Sequence, residues 1–120
     1  MFKRLALLCI SCCILVFGAQ AQSQNTDLSA AIVIDVRTEA EWKAAHLEGV
    51  KLIPWQDIVE ASAQLELNKN QPIALFCRSG NRAGKAMALL NEAGYSQVVN
   101  LGSLEQAADI LHKPIVKPAD

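Results

Sequence analysis

The segment PIALFCRSGNR, residues 72–82, places a short apolar run directly before a charged loop. A run of four to eight apolar residues next to turn-forming residues is typical of a strand buried on both faces. Residues 83–93 (AGKAMALLNEA) suit a helix, and Gly94 is well placed to end it. A strand, a loop and a helix in this order are typical of one unit of an α/β fold.

Strands and helices alternate on both sides of this segment. We expect further strands over residues 30–36, 50–53 and 97–100, and helices over residues 39–45, residues 55–67 and from a Ser103 cap through Leu111. Thr38 and Glu41 have capping-box spacing, which predicts Thr38 as the N-cap of the first helix. The alternation predicts an α/β fold with a small, mainly parallel sheet of four to five strands and helices on both faces.

Residues 1–21 have the features of a secretory signal peptide. Lys3 and Arg4 precede an apolar run over residues 5–17, and Ala19-Gln-Ala21 has the A-x-A spacing of a signal peptidase site. The run is shorter than the roughly 20 residues that a membrane-spanning helix needs. We therefore expect cleavage after Ala21 and export to the periplasm, with a retained membrane anchor or a lipoprotein as the alternatives.

The rest of the chain fits one domain. Removal of 21 of the 120 residues would leave 99, and loss of Lys3 and Arg4 would change the net charge from -1 to -3. We expect a flexible linker over residues 22–29, a single domain over residues 30–112, and an irregular tail over residues 113–120, which contain two prolines. Mild acidity without a basic stripe argues against nucleic acid as a partner.

Cys77 would be the one cysteine left after cleavage, since Cys9, Cys12 and Cys13 lie in the leader. A single cysteine cannot form an internal disulfide. A cysteine that only fills space is expected within a strand among apolar side chains. Cys77 is instead expected as the first residue beyond the strand, before five residues that suit no core. The pattern favours a reactive thiolate.

The loop after Cys77 is predicted to stabilise negative charge. Unpaired N–H groups and the helix dipole meet at the carboxyl end of a strand that leads into a helix, and both favour the thiolate. Gly80 allows the tight curvature of an anion-binding nest. Arg78 and Arg82 add positive charge, and Arg82 is the stronger candidate for contact with substrate because it closes the loop.

Two blocks of sequence resemble the conserved blocks of rhodanese domains. The first comprises Ile34-Asp-Val-Arg37, Glu41-Trp42, His46-Leu-Glu-Gly49-Val50 and Ile53-Pro54. The second comprises residues 77–83, Gly94-Tyr95 and Asn100-Leu-Gly102. The chain is therefore similar to the rhodanese family, and most of all to its small exported single-domain members. The resemblance implies a rhodanese-like fold and transfer of sulfane sulfur.

The resemblance also implies roles for individual residues. Cys77 corresponds to the catalytic cysteine that carries the persulfide, and Asp35 and Arg37 correspond to a supporting pair. The substrate-binding loop, whose backbone amides surround the cysteine, corresponds to Arg78, Ser79, Gly80, Asn81, Arg82 and Ala83. The implied reaction is that of a thiosulfate sulfurtransferase, with a small anionic donor, cyanide or a thiol as acceptor, and no metal or organic cofactor.

The chain departs from the family pattern at two places. Ala45-His46-Leu47 replaces the common Gly-His-Ile, and Leu101-Gly102 replaces the usual Gly-Gly. We interpret His46 as a residue that satisfies backbone groups at a turn, not as a catalytic base. Trp42 and Trp55 are expected in the core or at the rim of a pocket.

Alternative functions remain open at this point. A cysteine phosphatase needs C-x5-R spacing, whereas Cys77 and Arg82 have C-x4-R spacing and Ala83 occupies the next position. A redox enzyme would need a second cysteine to resolve a mixed disulfide. A persulfide carrier or a binding module with little turnover is compatible with the same residues.

Overall fold

A computed structural model describes residues 26–119, so the predicted leader and the first half of the predicted linker lie outside the described part. The helices are α1 (Glu39–Ala44), α2 (Ile58–Gln64), α3 (Asn81–Glu92) and α4 (Leu104–Leu111). The strands are β1 (Ile32–Asp35), β2 (His46–Leu47), β3 (Lys51–Leu52), β4 (Ile73–Cys77), β5 (Val98–Ser103) and β6 (Ile115–Val116). Within residues 26–119, each helix is too short or too polar to cross a membrane.

Four parallel strands form the main sheet in the order β3-β1-β4-β5. Asp35 at the end of β1 pairs with Phe76, and Cys77 at the end of β4 pairs with Ser103 at the end of β5. The carboxyl ends of these strands therefore meet at one edge of the sheet, where ligands bind in open α/β folds. The predicted fold class is confirmed.

Strand β4 divides the core into two clusters. All of its side chains are buried, and successive ones point to opposite faces because the side-chain period of a strand is two. Ile73, Leu75 and Cys77 pack with residues of α2 and α3, whereas Ala74 and Phe76 pack with residues of α4 and with Trp42 of α1. Helices therefore cover both faces of the sheet, as predicted.

Local capping signals give the correct start of two helices and the end of a third. Thr38 and Glu41 form a capping box at α1, and Ser103 forms one with Gln106 at α4. Gly94 has a φ of +98° directly after the last turn of α3, and the Tyr95 N–H bonds the Leu90 carbonyl at 3.0 Å. A glycine at this position satisfies helix carbonyls without the steric cost that a side chain would bring.

Several predicted boundaries differ from the observed ones. Strand β5 runs to Ser103 instead of ending at Asn100, because a bulge places two of its residues opposite one residue of β4. Helix α3 begins at Asn81, two residues earlier than expected, after Gly80 in the left-handed conformation. The helix expected over residues 55–67 is a 3-10 turn, Trp55–Asp57, followed by α2.

The tail predicted as irregular is in part a strand, and that prediction is wrong for residues 115–116. Strand β6 pairs antiparallel with β2, with Ile115 opposite Leu47 and Val116 opposite His46. Ile115 packs against the cluster that contains the fully buried Leu47, so burial of an apolar side chain holds the tail in place. Where the predicted linker meets the predicted domain, Leu28–Ala30 forms a 3-10 turn capped by Asp27.

Ser62 on α2 provides a test of the core. Its side chain is fully buried, and its Oγ has no hydrogen-bond partner among the described residues. Because a buried, unpaired hydroxyl is destabilising, Ser62→Ala should raise the free energy of unfolding by about 1 kcal/mol, measured by urea denaturation. Ser96→Ala is the matched control. The Ser96 Oγ bonds the Lys69 carbonyl, so its loss should lower stability by about 0.5 kcal/mol. A loss of stability in Ser62→Ala would contradict this account.

Candidate active site

The position of Cys77 follows from the alternation of β4. It is the third residue in the series Ile73, Leu75 and Cys77, so its side chain points to the α3 face of the sheet. Cys77 has no solvent-exposed surface and is the last residue of the strand. The expectation that it lies beyond the strand is therefore wrong, because the pairing of Cys77 with Ser103 extends β4 by one residue.

Backbone amides distinguish Cys77 from a cysteine that only fills space. The Gly80 N–H donates to the Cys77 Sγ at 3.0 Å. Burial alone would raise the pKa of the thiol, but hydrogen bonds from the N–H groups of Ala83, Ser79, Gly80 and Arg82 outweigh it, and the pKa is lowered. The sulfur is thus packed on one side by the core and on the other by a cradle of donors that stabilise the thiolate.

Gly80 and Asn100 shape this cradle. Gly80 has a φ of +91°, and a Cβ there would lie 3.2 Å from the Gly102 Cα. The Asn100 Nδ2 donates to the Gly80 carbonyl at 2.9 Å, and the Gly102 N–H donates to the Asn100 Oδ1 at 2.9 Å. The bulge of β5 therefore holds the loop in place through Asn100, and we call these two hydrogen bonds the clamp. No role for Asn100 could be predicted from the sequence, because its contact depends on the bulge register.

Asp35 and Arg37 form a buried pair at the end of β1. The Arg37 Nε and Nη2 atoms donate to the Asp35 carboxylate at 2.7 to 3.0 Å. Arg37 Nη2 also donates to the Ala45 carbonyl at 2.7 Å. The pair ties the end of β1 to the junction of α1 and β2, where Ala45 takes an extended conformation that needs no glycine.

Arg82, which the sequence favours over Arg78 for contact with substrate, is paired with a carboxylate in the structure. Its Nη1 and Nη2 atoms donate to the Glu41 Oε1 and Oε2 atoms at 2.6 and 2.9 Å. The ion pair with Arg82 lowers the pKa of Glu41 to about 2. The sequence predicts Glu41 only as part of the cap of α1, which it also forms. No local pattern signals the second contact, because the two residues are 41 positions apart.

Arg78 is the arginine of the loop whose side chain stays exposed. Among residues 26–119, no carboxylate lies within salt-bridge distance of Arg78. It lines a pocket of about 300 Å³ together with Arg37, Glu41, Leu104 and Glu105. Of the other predicted loop residues, Ser79 and Asn81 are exposed and Ala83 is buried with its N–H towards the sulfur.

His46 lies outside this arrangement. Its Nδ1 lies 3.0 Å from the Trp42 carbonyl, and its ring stacks on the Trp42 ring at a centroid distance of 4.2 Å. These contacts confirm the interpretation that His46 satisfies backbone groups at a turn. Trp42 and Trp55 both pack against the core clusters. The part of the chain that the structure describes contains no group of three residues suited to hold a metal ion.

Gly80→Ala tests the clamp. The positive φ would cost about 1 kcal/mol, and contact with the Gly102 backbone adds to it, so we expect a loss of about 2 kcal/mol in unfolding free energy and a higher Cys77 pKa. Gly49→Ala is the control, because Gly49 has a φ of +72° and no atom lies within 4 Å of the position that a new methyl group would take. It should lose about 1 kcal/mol with the Cys77 pKa unchanged. Equal changes in unfolding free energy and in the Cys77 pKa in the two variants would contradict the proposed role of Gly80 in holding the loop.

Comparisons with known proteins identify the family. A family model for the rhodanese-like domain matches residues 19–108. The thiosulfate sulfurtransferase PspE of Escherichia coli (strain K12) is 33% identical over 75 residues, which are 62% of this chain and 72% of PspE. A sulfurtransferase of Allochromatium vinosum is 31% identical over 75 residues, which are 62% of this chain and 68% of that protein.

A solved structure supports the same family assignment. The rhodanese with anions from E. coli superposes with a TM-score of 0.66 at 32% identity, and the match covers 74% of this chain and 100% of that chain. The family model spans well over half of the 120 residues, and its match includes Cys77 and the complete amide cradle. This chain belongs to the rhodanese family.

Proposed function

We propose that this protein is a thiosulfate sulfurtransferase that carries sulfane sulfur on Cys77 as a persulfide. Sulfur transfer is the general activity of its relatives PspE and the A. vinosum sulfurtransferase. The observation that carries the proposal is the hydrogen bond from the Gly80 N–H to the buried Cys77 sulfur at 3.0 Å. The N–H groups of Ala83, Ser79 and Arg82 also lower the pKa of the thiol. They favour an ionised sulfur, and the thiolate is the nucleophilic form of cysteine.

In the donor step, the Cys77 thiolate attacks the outer sulfur of thiosulfate. A new S–S bond forms on Cys77, the S–S bond of thiosulfate breaks, and sulfite leaves with the bonding electron pair. Once the donor is bound, the N–H groups that hold the thiolate also stabilise the negative charge as it moves to the outer sulfur. The charge is conserved, and no metal or organic cofactor takes part.

In the acceptor step, a thiophilic nucleophile such as cyanide or a thiolate attacks the outer sulfur of the persulfide. The product is thiocyanate or a new persulfide, and the Cys77 thiolate is regenerated. The two half-reactions share one site, so donor and acceptor bind in turn. On the basis of the predicted signal peptide, the proposed cycle takes place in the periplasm, with no membrane attachment after cleavage.

Access to Cys77 is through the loop of residues 78–80. The sulfur has no exposed surface, whereas Arg78 and Ser79, which follow Cys77 in the chain, are exposed. Arg78 also lines the pocket that it shares with Arg37 and Glu41. Donor attack therefore requires a local displacement of this loop. Arg78, which lacks a carboxylate partner among the described residues, is the guanidinium available to an incoming dianion.

Replacement of the nucleophile tests the proposal directly. Cys77→Ser should reduce thiosulfate:cyanide transfer by at least about 1,000-fold, because an alcohol cannot form the persulfide. The fold should persist, since the hydroxyl still accepts from the Gly80 N–H. The assay is thiocyanate formation, with circular dichroism as the folding control. Retained turnover in Cys77→Ser would reject the persulfide mechanism.

Mass spectrometry separates an enzyme from a carrier with little turnover. Incubation of wild-type protein with thiosulfate should add one sulfur, about 32 Da, to the peptide that contains Cys77. Cyanide should then remove it in every cycle. A persulfide that forms but resists small acceptors would favour a carrier with a dedicated partner. Hydrolysis of an aryl phosphate would favour the phosphatase alternative.

Arg78→Ala tests the donor contact. We expect the KM for thiosulfate to rise about tenfold with little change in kcat, because one charge-assisted hydrogen bond contributes roughly 1.5 kcal/mol. Arg78→Lys should recover part of the loss. Lys117→Ala removes the same charge from the exposed tail and should leave KM unchanged. If Arg78→Ala and Lys117→Ala raise the KM for thiosulfate equally, the effect comes from the overall charge of the protein and not from a contact between Arg78 and the donor.

A further inference from the structure

The arginines near Cys77 are divided between two tasks. Arg37 is held by Asp35 and Arg82 by Glu41, each through two nitrogen donors, whereas Arg78 has no such partner among residues 26–119. A guanidinium whose fork is already bound to a carboxylate has little capacity left for a substrate anion. The side chain of Arg82 is thus committed to the protein itself.

Arg82 holds two parts of the molecule together. Its backbone N–H is one of the four directed at the Cys77 sulfur, and it is the second residue of α3. Its side chain reaches Glu41, 41 residues earlier in the chain, on the other side of the site. The Arg82–Glu41 pair therefore connects the cradle to α1.

Glu41 is itself fixed. Its Oε1 accepts from the Thr38 Oγ1 at 3.0 Å, which anchors the carboxylate to the start of α1. The side chains of Arg82 and Glu41 are only 25% and 27% exposed, so solvent weakens the pair less than it weakens a fully exposed one. The ion pair therefore connects α1, which is capped by Thr38, to the first turn of α3.

We propose that Glu41 is a positioning residue: through Arg82 it fixes the first turn of α3, and with it the amides that stabilise the Cys77 thiolate. This inference rests on the proposed role of Cys77 as the ionised nucleophile. Glu41 touches neither the sulfur nor a reacting atom. Its effect on the thiolate passes through the geometry of the cradle.

A positioning role of Glu41 and a purely electrostatic role of Glu41 predict opposite shifts in the pKa of Cys77. If Glu41 acted only through its negative charge, its neutralisation would favour the thiolate and lower the pKa of Cys77. If Glu41 holds the amides in place, its loss lets them move away, and the pKa rises. The other charged groups around the site stay in place in this comparison: Asp35 and Arg37 at the end of β1, Arg78 in the loop, Arg82 on α3 and Glu105 on α4.

The test is titration of the thiolate by its ultraviolet absorbance in the full chain, with the Cys77→Ser spectrum subtracted. Glu41→Gln should raise the pKa of Cys77 by about one unit. Glu39→Gln is the matched control, since it makes the same change on the same helix and breaks the Glu39–Lys43 pair, which is exposed and does not touch the loop. It should leave the Cys77 pKa at the wild-type value.

A double-mutant cycle checks that the pair acts as a unit. Arg82→Gln should also raise the pKa of Cys77, in part because it removes a positive charge that interacts with the sulfur. The double variant should shift the pKa no further than the larger single change. Should Glu41→Gln fail to fold, Arg82→Lys keeps the charge, loses the fork and should give a smaller upward shift. A lowered or unchanged pKa in these variants, or additive shifts, would overturn the proposal.

The titration uses no donor and no acceptor, so its outcome is separate from turnover. Absence of sulfur transfer by the wild-type protein would reject the proposed function. The direction of the pKa shift would still decide whether Glu41 positions the cradle.

Discussion

The site depends on a competition at one atom, the Cys77 sulfur. Burial disfavours the charged thiolate, and the N–H groups of Ser79, Gly80, Arg82 and Ala83 favour it more strongly. The two effects are connected, because hydrogen bonds are stronger where water is excluded. An exposed sulfur would lose less by ionising, but it would also gain less from each amide. The closed geometry therefore makes the orientation of a few peptide groups decisive.

Those peptide groups owe their orientation to features spread over the sheet. The alternation of β4 turns the Cys77 side chain towards α3. The bulge in β5 brings Asn100 to the Gly80 carbonyl, and the positive φ of Gly80 turns its N–H to the sulfur. The thiolate is thus stabilised by main-chain donors, whose positions are set by hydrogen bonds, while the Arg82 side chain of the loop contacts α1.

The parts of this arrangement that depend on neighbouring residues could be predicted from the sequence. The capping boxes at Thr38 and Ser103, the end of α3 at Gly94 and the charged loop after β4 all follow from local spacing. The Glu41–Arg82 pair, the clamp by Asn100 and the β2–β6 pairing join residues that are 20 to 70 positions apart. No local pattern specifies them. They depend on strand register, which a single bulge changes.

The lack of exposed surface at Cys77 also limits which molecules reach it. A large oxidant or a protein disulfide cannot approach a sulfur that lies beneath its own loop, whereas a compact inorganic anion needs only a brief local opening. Selection by size is thus built into the resting conformation. The pKa of the Cys77 thiol is lowered, and the described residues contain no second cysteine that could form a disulfide with it. Burial beneath the loop therefore shields the sulfur from oxidants that are larger than such an anion.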